Sequence, residues 1–307
     1  MHPSCLPRRA LAGVLVTVPM GSFPPSSATA ETPFASSVVS YVPGIGAAAA
    51  YTNPQAALGS PERMTGDGFS PQAVTPFQPA FLPSEIVSLG MGGSLVLAFD
   101  HDVLDDPANP FGLDLIVFGN SFCADAQAPN GVVGSMYSEG GTISVSPDGV
   151  SWTTVVGLAA DGPLPTLGFR DVTPYSTTPG RVLTDFTRPV DPAQNVEVLV
   201  GASWEAINNA YDGSGGGAAI DIGSLGLTSI RFVRVEGNRA FGFSPEIDAV
   251  ADVAPLAPVA DLDGDGVVGA ADLGVLLGGW GGSGVGDLNG DGAVDAGDLA
   301  ILLGSWS

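Results

Sequence analysis

The sequence contains no lysine: its nine basic residues are all arginine. It holds only two cysteines and two histidines in 307 residues, and no apolar run approaches the ~20 residues that a membrane-spanning helix requires. Each scarcity removes a class of function. Cys5 lies in an N-terminal segment that reads as a signal, so the mature chain keeps Cys123 alone and forms no internal disulfide. A lone cysteine of this kind reads as a small buried apolar residue rather than a nucleophile. After the same cut only His101 remains, which all but excludes a zinc site rich in histidine and cysteine. A Ser-His-Asp or Cys-His pair would have to run through His101. Flanked by Asp100 and Asp102 in a turn-like stretch, that residue reads as solvent-exposed.

The charge that is present is negative. All 32 acidic residues lie from Glu31 onward, whereas Arg8 and Arg9 precede it; without residues 1–30 the balance is 7 − 32 = −25. Such a chain repels nucleic acid and anionic membrane surfaces and attracts divalent cations. It also suits a soluble extracellular protein. Arg8-Arg9, the short apolar stretch 10–20 and Ala28-Thr29-Ala30 have the order of a secretory signal with its cleavage site. We therefore expect residues 1–30 to be removed and the protein to be secreted or held at the cell surface, with no transmembrane segment left.

Between residues 31 and 84 the chain is rich in Gly, Pro, Ser and Ala, with one candidate strand at 38–41. From 85 to 253 strand signals dominate. Residues 94–99 (SLVLAF) and 113–118 (LDLIVF) are short apolar runs bounded by Gly, Asp and Asn. Residues 142–146 and 150–156 alternate around Pro147-Asp148-Gly149, a hairpin signal. Runs at 196–200, 230–235 and 247–253 complete seven strands, with a doubtful helical patch at 204–210. The expectation is a mainly β fold, an antiparallel sandwich. Residues 254–260, with prolines spaced three apart, read as a linker to a small α module at 261–307.

That module is a repeat. Aligned at an offset of 26, residues 261–280 and 287–306 share thirteen of twenty positions. Each copy opens with a twelve-residue loop, DLDGDGVVGAAD and DLNGDGAVDAGD. Calcium takes six to eight hard oxygen ligands, and alternate loop positions offer them. Asp261, Asp263 and Asp265, then Asp287, Asn289 and Asp291, supply side-chain oxygens at positions 1, 3 and 5. Position 6 is Gly266 or Gly292, where the chain turns sharply; position 7 lends the carbonyl of Val267 or Ala293. Asp272 and Asp298 close the shells at position 12. At position 9 Asp295 can bind through water, whereas Gly269 has no side chain. After each loop Leu273, Leu276, Leu277 and Trp280, and their counterparts Leu299, Leu302, Leu303 and Trp306, mark one helical face, and the two faces are expected to pack around the tryptophans. Eight acids and no base in a unit this small make metal binding a condition of its folding.

The doubled pattern DxDGDGxVxxxDLxxLLxxW resembles the type I dockerin. That resemblance implies two Ca²⁺ ions held by the residues just named and a cohesin-type scaffold protein as partner. Positions 10 and 11 of the loops are Ala270-Ala271 and Ala296-Gly297, and the helices lack the basic residues frequent in that family. In the larger domain, Ser144 to Trp152 (SVSPDGVSW) and Ile230 to Val235 (IRFVRV) resemble the galactose-binding-like, discoidin-type domain. This implies a jelly-roll sandwich and says more of fold than of function.

Sites in that domain are less sharply written. Asp100, Asp102, Asp105 and Asp106 with Asp114 offer one further calcium site, against the plainer reading of a solvated loop. Trp152, Trp204, Tyr137 and Tyr211 offer a platform for stacking a glycan, although Trp152 after a hairpin also reads as core. Glu205, Glu246 and Asp248 offer the carboxylate pair of a glycosidase. Three functions stay open: a non-catalytic attachment protein, a small polysaccharide hydrolase carried by the same tail, and a purely structural surface protein.

Overall fold

The computed structural model of the chain describes residues 32–306 apart from 163, 238–243, 254–259 and 264–267. The expected signal, most of the expected linker, and the candidate ligands Asp265 and Val267 lie outside the described residues. The fold is mainly β, and all strand pairings between named strands are antiparallel. The strands are β1 (Ser37–Val42), β2 (Met64–Thr65), β3 (Gln72–Ala73), β4 (Val87–Ser88), β5 (Ser94–Leu104), β6 (Leu115–Gly119), β7 (Phe122–Asp125), β8 (Val133–Tyr137), β9 (Gly140–Ser146), β10 (Thr153–Asp161), β11 (Ala218–Ile220), β12 (Ser229–Glu236) and β13 (Glu246–Asp252). Among the described residues four α-helices accompany them: α1 (Val196–Leu199), α2 (Trp204–Tyr211), α3 (Ala270–Gly278) and α4 (Ala296–Gly304).

Two sheets carry the core, one ordered β1-β5-β12-β9-β10 and the other β11-β6-β13-β4. Alternation decides which side chains face inward. Leu95, Leu97 and Phe99 of β5, Ile143 and Val145 of β9, and Val233 and Val235 of β12 share one buried cluster with Leu115 and Val117 of β6 and Val250 of β13. Ile230 joins that cluster although it lies three residues from Val233. A register shift between Ile230 and Phe232 supplies the extra residue that restores the parity.

From Leu115 to Phe118 every residue is apolar because β6 is buried on both faces. Leu115 and Val117 enter the main core, while Ile116 and Phe118 pack outward against Phe186, Ala249 and Ala251. A third cluster, outside the sheets, gathers Phe77, Cys123, Leu167, Ile207 and Tyr211. Helix α2 joins it through Ile207 and Tyr211, one turn apart, and Ser203 caps its start by accepting from the Ala206 N–H at 3.3 Å. Cys123 is free and buried, and burial pushes its thiol up to about 11.

The structure departs from the sequence reading in three places. Residues 196–199 are helical rather than a buried strand: Asn195 Oδ1 accepts the Val198 N–H at 3.0 Å, and Val198 and Val200 are exposed. A segment of four or five residues carries no period long enough to separate the two forms. His101 is largely enclosed rather than exposed, with its Nδ1 2.7 Å from Asp100 Oδ1 and its Nε2 2.9 Å from Asp252 Oδ2. β5 extends past residue 99 to Leu104 and carries His101 up against the end of β13. Finally, Leu277, Trp280, Leu303 and Trp306 do not pack between the last two helices; each is about half exposed. The small core there consists of Ala260, Val268, Leu276, Val294 and Leu302, one buried leucine per helix.

No helix among the described residues is long and apolar enough to cross a membrane.

Candidate metal centres

The two C-terminal loops are closed by one device used twice. Asp272, in the first turn of α3, turns its carboxylate back to accept N–H groups from Gly269 at 2.6 Å, Leu262 at 2.7 Å and Asp263 at 3.1 Å. Asp298, in the first turn of α4, accepts from Asp295 at 2.8 Å, Leu288 at 2.7 Å and Asn289 at 3.1 Å. The helix start and the loop start are thus tied to a single buried carboxylate, and acids in a first helical turn also meet the positive end of the helix dipole. The backbone N–H groups, that of Gly269 or Asp295 foremost, hold both carboxyls below the ordinary range.

In the first loop the carboxylate oxygens of Asp261, Asp263 and Asp272 lie within 4.8 Å of one another, close enough to hold one metal ion. In the second loop Asp287 is the hub. Its Oδ1 accepts from Gly290 at 2.9 Å and Asp291 at 3.1 Å, and its Oδ2 accepts from Gly292 at 2.8 Å. Gly292 has φ of 93°, a conformation that L side chains rarely adopt. Asn289 Nδ2 donates to Asp291 Oδ2 at 3.0 Å, and Asp295 caps α4 by accepting from Gly297 at 2.7 Å. Among the described residues the second loop brings no three carboxylates as close together as the first, and the Ala293 N–H goes to Asp291 Oδ1 at 3.0 Å. The donors of both loops are oxygens alone, a set that fits a hard cation such as calcium and not a thiophilic one.

A second group of three carboxylates able to hold one metal ion lies in the sandwich: Asp105, Asp114 and Asp221. Asp105 and Asp114 are the first and last residues of the connection between β5 and β6. Asp221 follows β11, which reaches them because Ile220 pairs with Leu115. Asp221 stood outside the acidic cluster read from the sequence, and only this pairing reveals it. The other members of that cluster point elsewhere. Asp100 binds His101, Asp102 Oδ1 lies 3.8 Å from Arg231 Nε, and Asp106 Oδ1 accepts the Ala108 N–H at 2.8 Å.

The three glycosidase candidates are not brought together as a set. Glu205 is exposed on the first turn of α2. Asp248 is buried, accepts the Glu62 N–H at 3.4 Å, and has its carboxyl raised well above the usual range by burial and then by Glu62. Glu246, half buried, sits beside Glu139 and near Asp161. Burial first, then the hydrogen bond and charge of Glu139, push Glu246 up to about 8, and burial pushes Asp161 up to about 7. Glu139 and Asp161 were not singled out in the sequence; they lie at the β8–β9 turn and the end of β10, and only the sheet pairing places them beside β13.

Nor do the four aromatic candidates form one platform. Tyr211 is buried with its hydroxyl donating to the Pro165 carbonyl at 2.7 Å. Trp204 packs on the same cluster and donates Nε1 to the Val172 carbonyl at 2.9 Å. Tyr137 stacks on Phe122 with ring centres 4.9 Å apart. Trp152 is half buried rather than core, and the Arg234 guanidinium lies 4.5 Å over its ring.

No family model matches this chain, and no curated protein matches it.

Proposed function

We propose that the chain is an exported, calcium-dependent attachment protein without catalytic activity. In this reading residues 261–307 form a dockerin-like pair of calcium loop–helix repeats holding two ions. The sandwich is a galactose-binding-like jelly roll that takes a glycan or another surface component. The observation that carries the reading is the convergence of Asp261, Asp263 and Asp272, with the hydrogen-bond frame of Asp272 repeated by Asp298 twenty-six residues on. Leu277 and Trp280, repeated by Leu303 and Trp306, add a doubled apolar surface suited to a protein partner such as a cohesin-type scaffold. Pull-down of the full chain on a panel of cohesin domains tests it. Capture in calcium that chelator abolishes supports the proposal; no capture in calcium defeats the docking role.

A hydrolase reading is favoured by one observation, the Glu246 carboxyl held near 8 beside Glu139, in the range of a general acid. Turnover of any polysaccharide in a panel, lost in Glu246→Gln, would replace the attachment role with this one.

A further inference from the structure

We infer that Asp105, Asn109, Asp114 and Asp221 form a third calcium site, inside the sandwich and independent of the C-terminal loops. Three carboxylates whose oxygens lie within 4.8 Å of one another repel strongly unless a cation or a proton sits among them. No ion pair reaches any of the three among the described residues.

Proximity of acids alone would not distinguish a site from a crowded loop. The distinguishing group is Asn109, buried at 5% exposure. Its Nδ2 donates to Asp114 Oδ1 at 2.9 Å, which sets the amide against the cluster, yet its Oδ1 is buried with no hydrogen-bond partner among the described residues. A buried amide oxygen left unpaired is costly, and native proteins rarely keep one without a ligand or a water. Both atoms belong to one planar amide, so that oxygen lies beside the same carboxylate whose charge needs a counterion. A calcium ion answers both needs at once.

The remaining valences agree. An ionised carboxylate has about four acceptor positions. Asp114 uses three: Oδ1 takes the Asp106 N–H at 3.1 Å and the Asn109 amide, and Oδ2 takes the Ile222 N–H at 3.0 Å. One position on Oδ2 is left for a metal. Among the described residues Asp221 Oδ1 takes only the Ser224 N–H, at 2.9 Å. Asp105 lies flat over Gly223, where an added Cβ would come 2.6 Å from its Oδ1 and 2.7 Å from its Oδ2. The glycine is the space that lets this carboxylate reach the others. Oxygen donors from two connections, with no histidine or thiol, select calcium over zinc. The ion would join the β5–β6 connection to the residues after β11.

The test counts calcium bound by the full chain in equilibrium dialysis. A chain with Asp272→Ala and Asp298→Ala, which disables both C-terminal loops, should still bind one ion. That ion should be lost on adding Asp221→Asn, a change that keeps an acceptor for Ser224. In the doubly disabled chain, millimolar calcium should raise the melting temperature of the sandwich by about 5–10 °C, and Asp221→Asn should abolish the shift. Gly223→Ala, which displaces only the exposed Asp105, should weaken the remaining site at least tenfold while circular dichroism stays unchanged. A doubly disabled chain that binds no calcium overturns the inference, as does retention of the ion in Asp221→Asn. The outcomes separate from those of the dockerin-like tail. One ion in the wild type, lost with Asp221→Asn, defeats the tail and leaves this site; two ions, both lost with the tail variants, do the reverse.

Discussion

Carboxylates crowd together both in the sandwich interior and in the C-terminal loops, and the two regions manage the charge in opposite ways. Around β13, burial raises the proton affinity of Glu246 and Asp161, although Asp161 also accepts backbone N–H groups, that of Glu139 at 2.7 Å among them. In the loops, Asp272 and Asp298 each collect three backbone N–H groups, which lower their proton affinity and keep them ionised. The contrast lies in which effect is larger: at Asp161 desolvation outweighs the backbone N–H bonds, whereas in the loops those bonds outweigh desolvation. A glycine-rich loop and a helix start have N–H groups to offer, and here they are spent on Asp272 and Asp298. An ionised, preorganised carboxylate is ready for a metal; one that shares a proton must first lose it.

The largest effect that would break this comparison is expected in the tail. Asp298→Ala leaves three N–H groups without an acceptor, each costing roughly 1–3 kcal/mol if it stays buried. A core with one buried leucine per helix has little reserve against that loss. Chymotrypsin should then clip the full chain beyond residue 260 even in calcium, leaving the sandwich intact. Resistance equal to wild type would deny Asp298 its place at the centre of the loop.

A smaller effect is expected from Glu246. Its folded-state proton affinity exceeds that of the unfolded chain, so the fold binds more protons than the unfolded state between pH ~4.5 and ~8. Its contribution is therefore complete below pH ~4.5 and is lost as pH rises through about 8. Melting scans should show the sandwich weakening over that window by about 2–4 kcal/mol, and Glu246→Gln should flatten the slope. A wild-type sandwich that grows more stable from pH 5 to 8 would contradict the shared-proton account.

His101 should act in the same direction but less. Burial lowers its proton affinity, yet the hydrogen bonds and charges of Asp100 and Asp252 outweigh this and raise it above 6.5. Its stabilisation is present below pH ~6.5 and fades as pH rises through the higher folded value. His101→Gln should cost about 1–2 kcal/mol at pH 6 and less at pH 9, a difference readable in urea unfolding. The smallest effect is at the hairpin, where Trp152→Ala removes the partner of Arg234 and should cost about 0.5–1 kcal/mol beyond lost packing.

The strands were legible wherever a run was long enough to show its period or bounded by a turn. Asp148 illustrates the second case: its Oδ1 accepts from Val150 at 2.8 Å and Ser151 at 2.7 Å, the local bonds that an Asp-Gly turn implies. Residues 196–199 misled because valine and leucine suit a strand and four residues cannot show a helical repeat. The tryptophans misled for a different reason. A stripe at helical spacing marks an apolar face without saying whether the molecule itself covers it, and Trp280 and Trp306 stay half exposed.

The candidate metal-binding groups divide along the same line. The C-terminal candidates lie within twelve-residue loops, where chain geometry leaves few ways to arrange alternate acids around a glycine turn, so spacing alone named them. The sandwich group was half visible: Asp105 and Asp114 share one connection, but Asp221 comes from another part of the chain. Asp114 reaches the Ile222 N–H across 108 positions because β6 and β11 pair in one register. Shifting that pairing by one residue would turn the side chains of β11 to the opposite face of the sheet. Short-range order follows from the backbone's few allowed shapes; contacts this distant follow from which register buries the most apolar surface, and that is a property of the whole fold.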